Sequence, residues 1–380
     1  MKSCSAVRSP AAEVAIPLCY SRVVSFTSRG QPALRLCARL DCDLPHMALQ
    51  TTFDEVQAML AAADQGLRDL SLEQIEQLCQ NDDSLSDERL WPSTLRSRFF
   101  DATPIQRKEL HWIVETHYGA LVRDATGDDF WRLSALAYTR VIPLRLGYDE
   151  SMGHRSADSI FVVRSVRRIY PTSPLRSLRL LDVGCGTGEL LADLALVGFT
   201  ALEGIDVSRA ATSRAAKRVD GSGAIVRCVS LRRLLEEEPA SLYDVVTLCD
   251  VLEHLPRSDV PEILCGLRRR LSPAGLLVVV TPSAITGPHD LDFLPRGCAT
   301  GGLHLHEYRL RELRSVLHQA GFASVQSTLL NPSGRWFATP SRSAFLVKLA
   351  LERILDRTPF SVATRFTEAF YFRGIVCRRA

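Results

Sequence analysis

A glycine-rich turn is the part of this sequence whose residue types could most directly do chemistry. Residues 180–189 read Leu-Leu-Asp-Val-Gly-Cys-Gly-Thr-Gly-Glu, an apolar strand before the turn and an amphipathic helix after it. Glycines at alternate positions let the backbone approach a ligand, and the helix start offers free amide groups to a carboxylate or phosphate. Asp182, at the strand's carboxyl end, could accept a hydrogen bond from the amino group of a cationic ligand. The predicted ligand contacts in the turn are Gly184, Cys185, Gly186 and Gly188.

A second carboxylate follows the next predicted strand, which ends in Glu-Gly-Ile-Asp at residues 203–206. In nucleotide-binding folds a carboxylate about twenty residues past the glycines accepts hydrogen bonds from ribose hydroxyls. Ile205 and Asp206 are therefore predicted to contact a ligand. The alternative is that Asp206, two residues before Ser208, only helps to cap the next helix.

Histidines and acids after the fourth predicted strand could move a proton or hold a metal ion. His254 lies where the rim of the ligand crevice is expected, and its alternative role is to pack or cap the turn before Pro256. Asp250, Glu253 and His254 have i, i+3, i+4 spacing, which would let one helical turn ligate a divalent ion. We favour the simpler interpretation, a helix start enriched in acids, and predict no metal.

A long segment at 282–308 carries more polar side chains, namely His289, Asp290, Asp292, His304 and His306. Loops of this length are usually functional or disordered. We predict that His304 or His306 contacts the substrate, and His254 and His304 are the candidate catalytic residues. The alternative is that they are surface loop residues.

Alternating strand and helix patterns place these residues on one sheet. From Leu178 onward, short apolar runs alternate with amphipathic segments of helix length, which is typical of βαβ units and a mostly parallel sheet. The predicted strands are Leu178–Val183, Ala201–Ile205, Ala224–Val229, Asp244–Leu248, Leu276–Thr281 and Ala323–Thr328, with a seventh near Phe370–Cys377. The fold class is therefore α/β, with helices on both faces of the sheet.

The region before the sheet is predicted to be helical. Helix starts are indicated at Thr52, Ser71 and Thr103, each followed three residues later by Glu or Gln. We predict a helical lid over residues 47–170 and the sheet domain over residues 171–380. Residues 1–46 are rich in Ser, Arg and Pro and lack the apolar core of a secretory signal. They are predicted to be disordered or upstream of a natural start at Met47, and a transit peptide is the alternative.

Five motifs in order resemble those of class I S-adenosylmethionine-dependent methyltransferases. They are residues 181–188, Ile205-Asp206, Tyr-Asp-Val-Val at 243–246, Asp-Val-Leu-Glu-His-Leu at 250–255 and Leu-Ser-Pro-Ala-Gly at 271–275. The resemblance covers residues 178–328 strongly and the last strand more loosely. It implies a seven-stranded Rossmann-like sheet whose last strand is antiparallel, with S-adenosylmethionine across the carboxyl ends of the first strands.

The same resemblance implies how the cofactor is held. The glycine turn would hold its methionine part, Asp206 its ribose and the segment after the third strand its adenine, with Asp250 as a further contact. In one place the sequence departs from the family, which commonly has an acid near the adenine amino group. Residues 228–232 read Cys-Val-Ser-Leu-Arg instead. A backbone carbonyl or Ser230 could serve in place of that acid.

Composition and charge exclude several classes of protein. Hydrophobic residues make up 46% and charged residues 23%, which is ordinary for a soluble globular chain. A net charge of +3 gives no case for sequence-independent nucleic-acid binding, and the Asn/Asp-Pro-Pro-aromatic block that clamps a flipped base is missing. The eleven cysteines form no CxxC pair and are interpreted as free thiols in a reducing compartment. We therefore expect no nucleic-acid partner and a cytoplasmic location, or an organelle if residues 1–46 are a transit peptide.

Membrane insertion is not expected, because no apolar run is long enough to span a bilayer. The stretch Ala344–Leu355 is amphipathic, with Lys348, Arg353 and Arg357 predicted at its polar edge. Contact with a membrane or a lipid substrate is possible for such a stretch, but a helix packed on the core is the commoner meaning.

The function predicted is methyl transfer to a small-molecule, sugar or lipid-linked acceptor, with oxygen favoured as the acceptor atom. This preference rests on the block at 250–254, which resembles ubiquinone-type O-methyltransferases, and on histidines available as bases. The alternative is a cofactor-binding or scaffold protein without catalysis. A nicotinamide enzyme is disfavoured because Glu189 stands where its GxGxxG turn would need glycine.

Overall fold

The computed structural model describes residues 43–149, 156–287, 289, 301–329 and 339–379. It also describes two strands, β1 (Arg22–Phe26) and β2 (Pro32–Leu36), which pair antiparallel. The rest of the predicted N-terminal extension and the candidates Asp290 and Asp292 lie outside the described residues.

Five helices between residues 43 and 146 form what we call the N-terminal helical region. They are α1 (Asp43–Gln65), α2 (Leu72–Gln80), α3 (Ser93–Phe100), α4 (Pro104–Asp124) and α5 (Gly127–Leu146). The capping boxes predicted at Ser71 and Thr103 are both present. The helix start predicted at Thr52 is wrong, because α1 begins at Asp43, with a proline in its first turn, and continues through Thr52.

A seven-stranded sheet follows. Its strands are β3 (Arg179–Val183), β4 (Ala201–Asp206), β5 (Ile225–Cys228), β6 (Tyr243–Cys249), β7 (Leu271–Val280), β8 (Phe322–Gln326) and β9 (Gly374–Arg379). Their order across the sheet is β5-β4-β3-β6-β7-β9-β8, and β9 runs antiparallel to both of its neighbours. The predicted α/β sheet with an antiparallel last strand is confirmed.

Helices cover both faces of this sheet. They are α6 (Ser156–Ile169), α7 (Glu189–Leu196), α8 (Arg209–Arg218), α9 (Leu231–Glu236), α10 (Val260–Arg270), α11 (Leu310–Gln319), α12 (Arg342–Leu355) and α13 (Phe360–Ala369). Because strand side chains alternate, Leu180 packs with α6, α7 and α8, whereas Leu181 packs with α9, α10 and α11. The helix α6, which the sequence placed in the lid, thus packs against the sheet. The domain boundary at residue 170 stays a prediction.

The N-terminal helical region has a core of its own, which extends onto loops of the sheet domain. Val207, after β4, and Leu303 and Leu305, after β7, pack against that core. Since these loops follow the carboxyl ends of parallel strands, the helices lie over the edge where ligands are expected. Within the described residues, no helix combines the length and apolarity needed to cross a bilayer.

The helix α12 corrects one expectation. Lys348 is fully buried, and its Nζ donates to Ser327 Oγ (2.9 Å) and to the Tyr371 carbonyl oxygen (2.6 Å). Leu346 and Val347 are exposed instead. The prediction that Lys348 lies at the polar edge is therefore wrong, because hydrogen-bond acceptors inside the protein stabilise its amine there.

Candidate active site

The glycine turn connects β3 to α7. Gly184 and Gly186 have φ values of 71° and 53°, in the left-handed region that residues with a Cβ rarely adopt. A Cβ on Gly184 would also lie 2.5 Å from Val251 Cγ2. A Cβ on Gly186 would meet no described atom within 4 Å. Gly186 therefore borders open space in which a ligand can approach the backbone.

Asp206, at the end of β4, contacts the glycine turn directly. Its Oδ2 accepts a hydrogen bond from Gly186 N (3.0 Å) and its Oδ1 accepts one from Ser208 N (2.9 Å). The N-cap of α8 is Ser208, whose hydroxyl accepts from Ala211 N (3.4 Å). The same turn is bound to β4 through Ile205, whose carbonyl oxygen accepts from Gly184 N and Cys185 N. Ile205 and Asp206 thus lie beside the turn, and capping does not account for the Gly186 contact.

Asp182 gives the site a second buried carboxyl group. Its Oδ1 accepts a hydrogen bond from Thr247 Oγ1 (2.6 Å). Burial raises the pKa of Asp182 to about 7, against the effect of the Thr247 hydrogen bond, and the nearby Asp206 and Glu189 raise it further. Glu189 is already paired with Arg218, and the two remaining acids, Asp182 and Asp206, favour a ligand with positive charge. A sulfonium ion that also carries an ammonium group matches this charge, so these residues fit S-adenosylmethionine.

Asp250 directly follows β6 and has an unusual backbone, with φ at 53°. Both of its carboxylate oxygens accept hydrogen bonds from Arg373 Nη2, at 2.7 and 2.8 Å. Arg373 Nη2 also lies 3.5 Å from Asp158 Oδ2 on α6. The Asp250 side chain is thus held by an arginine from the segment before β9. Its predicted contact with the cofactor stays a prediction.

Glu253, His254 and His304 come together after β6 and β7. Glu253 and His254 lie in a 3-10 turn, Leu252–His254. The ring centroids of His254 and His304 are 4.7 Å apart. Atoms of all three side chains that could ligate a metal lie within 4.8 Å of one another. One carboxylate and two imidazoles form a donor set that suits divalent transition metals. Asp250, which the spacing had grouped with Glu253 and His254, is not part of this set.

Burial determines the protonation states of Glu253 and His254. The pKa of Glu253 is raised to about 8 by burial, reinforced by the charge of Asp250. Glu253 Oε2 accepts a hydrogen bond from Thr281 Oγ1 (2.9 Å), while its buried Oε1 has no hydrogen-bond partner among the described atoms. Burial lowers the pKa of His254 to about 3, so this imidazole is neutral near pH 7 and its Nδ1 can donate to the Leu303 carbonyl oxygen (3.1 Å).

His304 is joined to a carboxylate. Its Nδ1 lies 3.1 Å from Glu307 Oε1, and Glu307 also accepts from His289 N (2.6 Å) and pairs with His289 Nδ1 (3.0 Å). Hydrogen bonds from the two histidines outweigh burial and lower the pKa of Glu307 to about 2. An ionised carboxylate on Nδ1 fixes the tautomer of His304 with the basic lone pair on Nε2. His306 packs instead against Tyr308, with ring centroids 4.6 Å apart.

The N-terminal helical region contacts this edge with side chains from α2, α4 and α5. Tyr138 on α5 packs edge-on against His254, and Arg123 on α4 donates to the Gly302 carbonyl oxygen (3.2 Å). Glu76 on α2 accepts a hydrogen bond from Ser230 Oγ (2.6 Å), just after β5. Sequence reasoning missed Glu76 and Glu307. Glu307 had a signal, since it lies three residues after His304, but Glu76 had none, since it is 154 residues from Ser230.

Comparison with known proteins places these features in a family. Residues 154–327 match a family model described as a methyltransferase domain. The chain is 32% identical over 239 residues to the ubiquinone biosynthesis O-methyltransferase of Paracidovorax citrulli, covering 56% of this chain and 96% of that protein. It is also 32% identical over 169 residues to the enzyme of the same name from Bradyrhizobium diazoefficiens, covering 42% of this chain and 61% of that protein, which is less than two thirds of its length.

Solved structures of methyltransferases are also similar to this chain, at lower sequence identity. The plantazolicin methyltransferase BpumL in complex with SAH matches with a TM-score of 0.44 and 17% identity, covering 73% of this chain and 98% of that one.

Proposed function

Because this chain belongs to the class I S-adenosylmethionine-dependent methyltransferases, we propose that it methylates a hydroxyl oxygen of a small or lipid-linked acceptor. The observation that carries the proposal is the contact of His304 with Glu307 beside His254. A hydroxyl must lose its proton as it attacks a methyl group, so a positioned base favours oxygen. The names of the relatives above also favour it.

The cofactor is S-adenosylmethionine, whose sulfonium makes the methyl group electrophilic. In our proposal the amides of the glycine turn and Asp182 bind its amino-acid part. Asp206 binds the ribose hydroxyls with the lone pairs that its contacts with Gly186 and Ser208 leave available. The acidic surroundings of Asp182 offset the positive charge of the ligand.

His304 is the base in this proposal. Glu307 accepts from Nδ1, orients the ring and stabilises the imidazolium that forms when Nε2 takes the acceptor's proton. His254 is held neutral by burial and packs against His304, so we assign it to positioning His304 and the acceptor. Leu252, Glu253 and Leu303 are buried on this side, and the low local dielectric strengthens the hydrogen bonds there.

Exposed apolar side chains support a lipid-linked acceptor. Leu346, Val347 and Ile354 on α12, with Phe360 and Val362 on α13, are all more than two-fifths exposed. Apolar side chains exposed on two consecutive helices can lie against a lipid tail or a membrane surface.

The test is to incubate the full chain with S-adenosylmethionine and three acceptors, a polyprenylated catechol, a simple catechol and an amino sugar. We expect the new methyl carbon on oxygen in NMR spectra of the products, with the polyprenylated catechol reacting fastest. Methylation of the amino sugar at nitrogen with unreacted catechols would contradict the proposal. Parallel reactions with EDTA and with added Zn²⁺ show whether an ion at Glu253, His254 and His304 activates the hydroxyl in place of His304 acting as the free base.

A further inference from the structure

The residues just after β5 lie beside the ribose-binding carboxylate. In the parallel pair of β4 and β5, Asp206 is aligned with Cys228. Val229 N donates to the Asp206 carbonyl oxygen (3.0 Å), and Ser230 is the next residue. A nucleoside whose ribose is bound at Asp206 would therefore have its base within reach of Ser230.

An adenine base needs a hydrogen-bond acceptor there, because its exocyclic amino group can only donate. Residues 228–232 contain no acid. The Ser230 hydroxyl donates to Glu76 Oε1 at 2.6 Å, so the carboxylate beside this segment comes from α2. Both side chains lie inside the protein, with Glu76 5% and Ser230 4% exposed.

We propose that Glu76, from the N-terminal helical region, accepts the hydrogen bond of the adenine amino group of the cofactor. The inference rests on the cofactor of the proposed function and does not depend on which atom is methylated.

The Glu76 carboxylate accepts from Ser230 through Oε1, and its Oε2 can accept from a further donor. Arg232 forms an ion pair with Glu76, but its Nη1 lies 4.0 Å from Glu76 Oε2, too far for a hydrogen bond. Its other nitrogen, Nη2, lies 2.9 Å from Glu236 and 3.8 Å from Asp128, so its charge is shared among three acids. A buried carboxylate is stabilised by each further N–H donor it accepts from, and the adenine amino group supplies one.

The helix α2 is held firmly enough to define this contact. Its N-terminus has a complete capping box at Ser71, and Ile75, Leu78 and Cys79 are buried on the same side as Glu76. Beyond its C-terminus, Asp82 forms an ion pair with Arg209 at the start of α8. The N-terminal helical region is thereby part of the cofactor site and not a separate module.

The test compares two ligands by titration calorimetry on the full chain. S-adenosylhomocysteine carries the 6-amino group, and S-inosylhomocysteine carries a 6-oxo group at the same place. We expect the parent to prefer the first ligand. In Glu76→Gln the amide oxygen can still accept from Ser230 while the amide nitrogen faces the base, so affinity for S-adenosylhomocysteine should fall about tenfold or more. Affinity for the 6-oxo ligand should hold or rise.

Glu73→Gln is the matched control, because Glu73 is exposed on the same helix, and it should bind both ligands as the parent does. The double variant Glu76→Ser, Ser230→Asp returns a carboxylate to the sheet segment and should recover the preference for the 6-amino ligand. If Glu76→Gln does not fold, the double variant still tests the inference.

Equal weakening of both ligands in Glu76→Gln, or no change in either, would overturn this inference and leave methyl transfer to oxygen standing. If only the double variant folds, loss of its preference for the 6-amino ligand would overturn the inference. A folded parent that binds neither ligand would overturn the cofactor site together with this inference.

Discussion

The two sides of the candidate active site are built in different ways. The glycine-turn side, Asp182 with residues 184–188 and Asp206, lies within one βαβ unit and is joined by backbone hydrogen bonds. The histidine side, Glu253, His254, His304 and Glu307, comes from two loops packed under the N-terminal helical region. The first side has the groups to bind the cofactor and the second has the groups to activate an acceptor. Substitutions should therefore separate cofactor binding from turnover.

The largest effect is expected on the histidine side. His304→Asn removes the base, and we expect kcat to fall about a hundredfold or more, within the range of general base catalysis. Calorimetry should show affinity for S-adenosylhomocysteine within about twofold of the parent, because the glycine-turn side is intact. His306→Asn is the control, since its ring packs on Tyr308 and not on Glu307. An equal loss of kcat in both variants would contradict the assignment.

On the glycine-turn side, Asp206→Ala should weaken binding of S-adenosylhomocysteine about a hundredfold. The variant loses hydrogen bonds to a charged acceptor and also the support of Gly186 N. Asp220→Ala, an exposed acid after α8, is the comparison variant and should bind like the parent. Retention of parent affinity in folded Asp206→Ala, measured by calorimetry, would remove this residue from the site.

Glu307→Gln tests whether the histidine side works as a pair. We expect kcat to fall about tenfold, because the amide no longer stabilises a protonated His304 as well as an ionised carboxylate does. The acid limb of the pH–rate profile should move to lower pH, since the imidazolium loses its anionic partner. A purely structural role for Glu307 would lower the rate at every pH without moving the profile.

The smallest effect concerns Asp182 and pH. Since the pKa of Asp182 is about 7, the ligand-free site loses negative charge as pH falls. We expect the Kd of the cationic cofactor to rise about threefold between pH 7.5 and pH 6.5, and Asp182→Asn to flatten this dependence in calorimetry. An unchanged pH dependence in Asp182→Asn would place the titrating group elsewhere.

Ionisation of Asp182, which favours cofactor binding, lowers the stability of the ligand-free fold. Its pKa in the folded state lies above the ordinary value of 3.8, so the unfolded chain releases this proton first. Its contribution to the free energy of unfolding is therefore fully present below about pH 4 and decreases as pH rises towards 7. Cofactor binding should then offset a loss of stability that the acidic site itself causes near neutral pH.

Much of the fold could be predicted because its signals are local. The apolar strands, the glycine turn and the capping residues Ser71 and Thr103 depend on neighbours a few residues away. One error arose where burial overrides a pattern, and another where a local capping signal lies inside a longer helix. Lys348 follows the polar periodicity of α12 but lies inside, since Ser327 and the Tyr371 carbonyl accept its hydrogen bonds. The start of α1 was placed late because Thr52 has capping spacing within a longer helix.

Residue order alone is enough to predict the proposed cofactor-binding half of this protein, the strand, glycine turn and helix followed by Asp206, because these parts meet within one βαβ unit. It could not establish that His254 packs on His304, that Arg373 holds Asp250, or that Glu76 reaches Ser230. These contacts join segments on different loops and helices, and the energies that select them come from burial and packing across the whole fold. For that reason the packing of His254 on His304 and the contact of Glu76 with Ser230 became visible only in three dimensions.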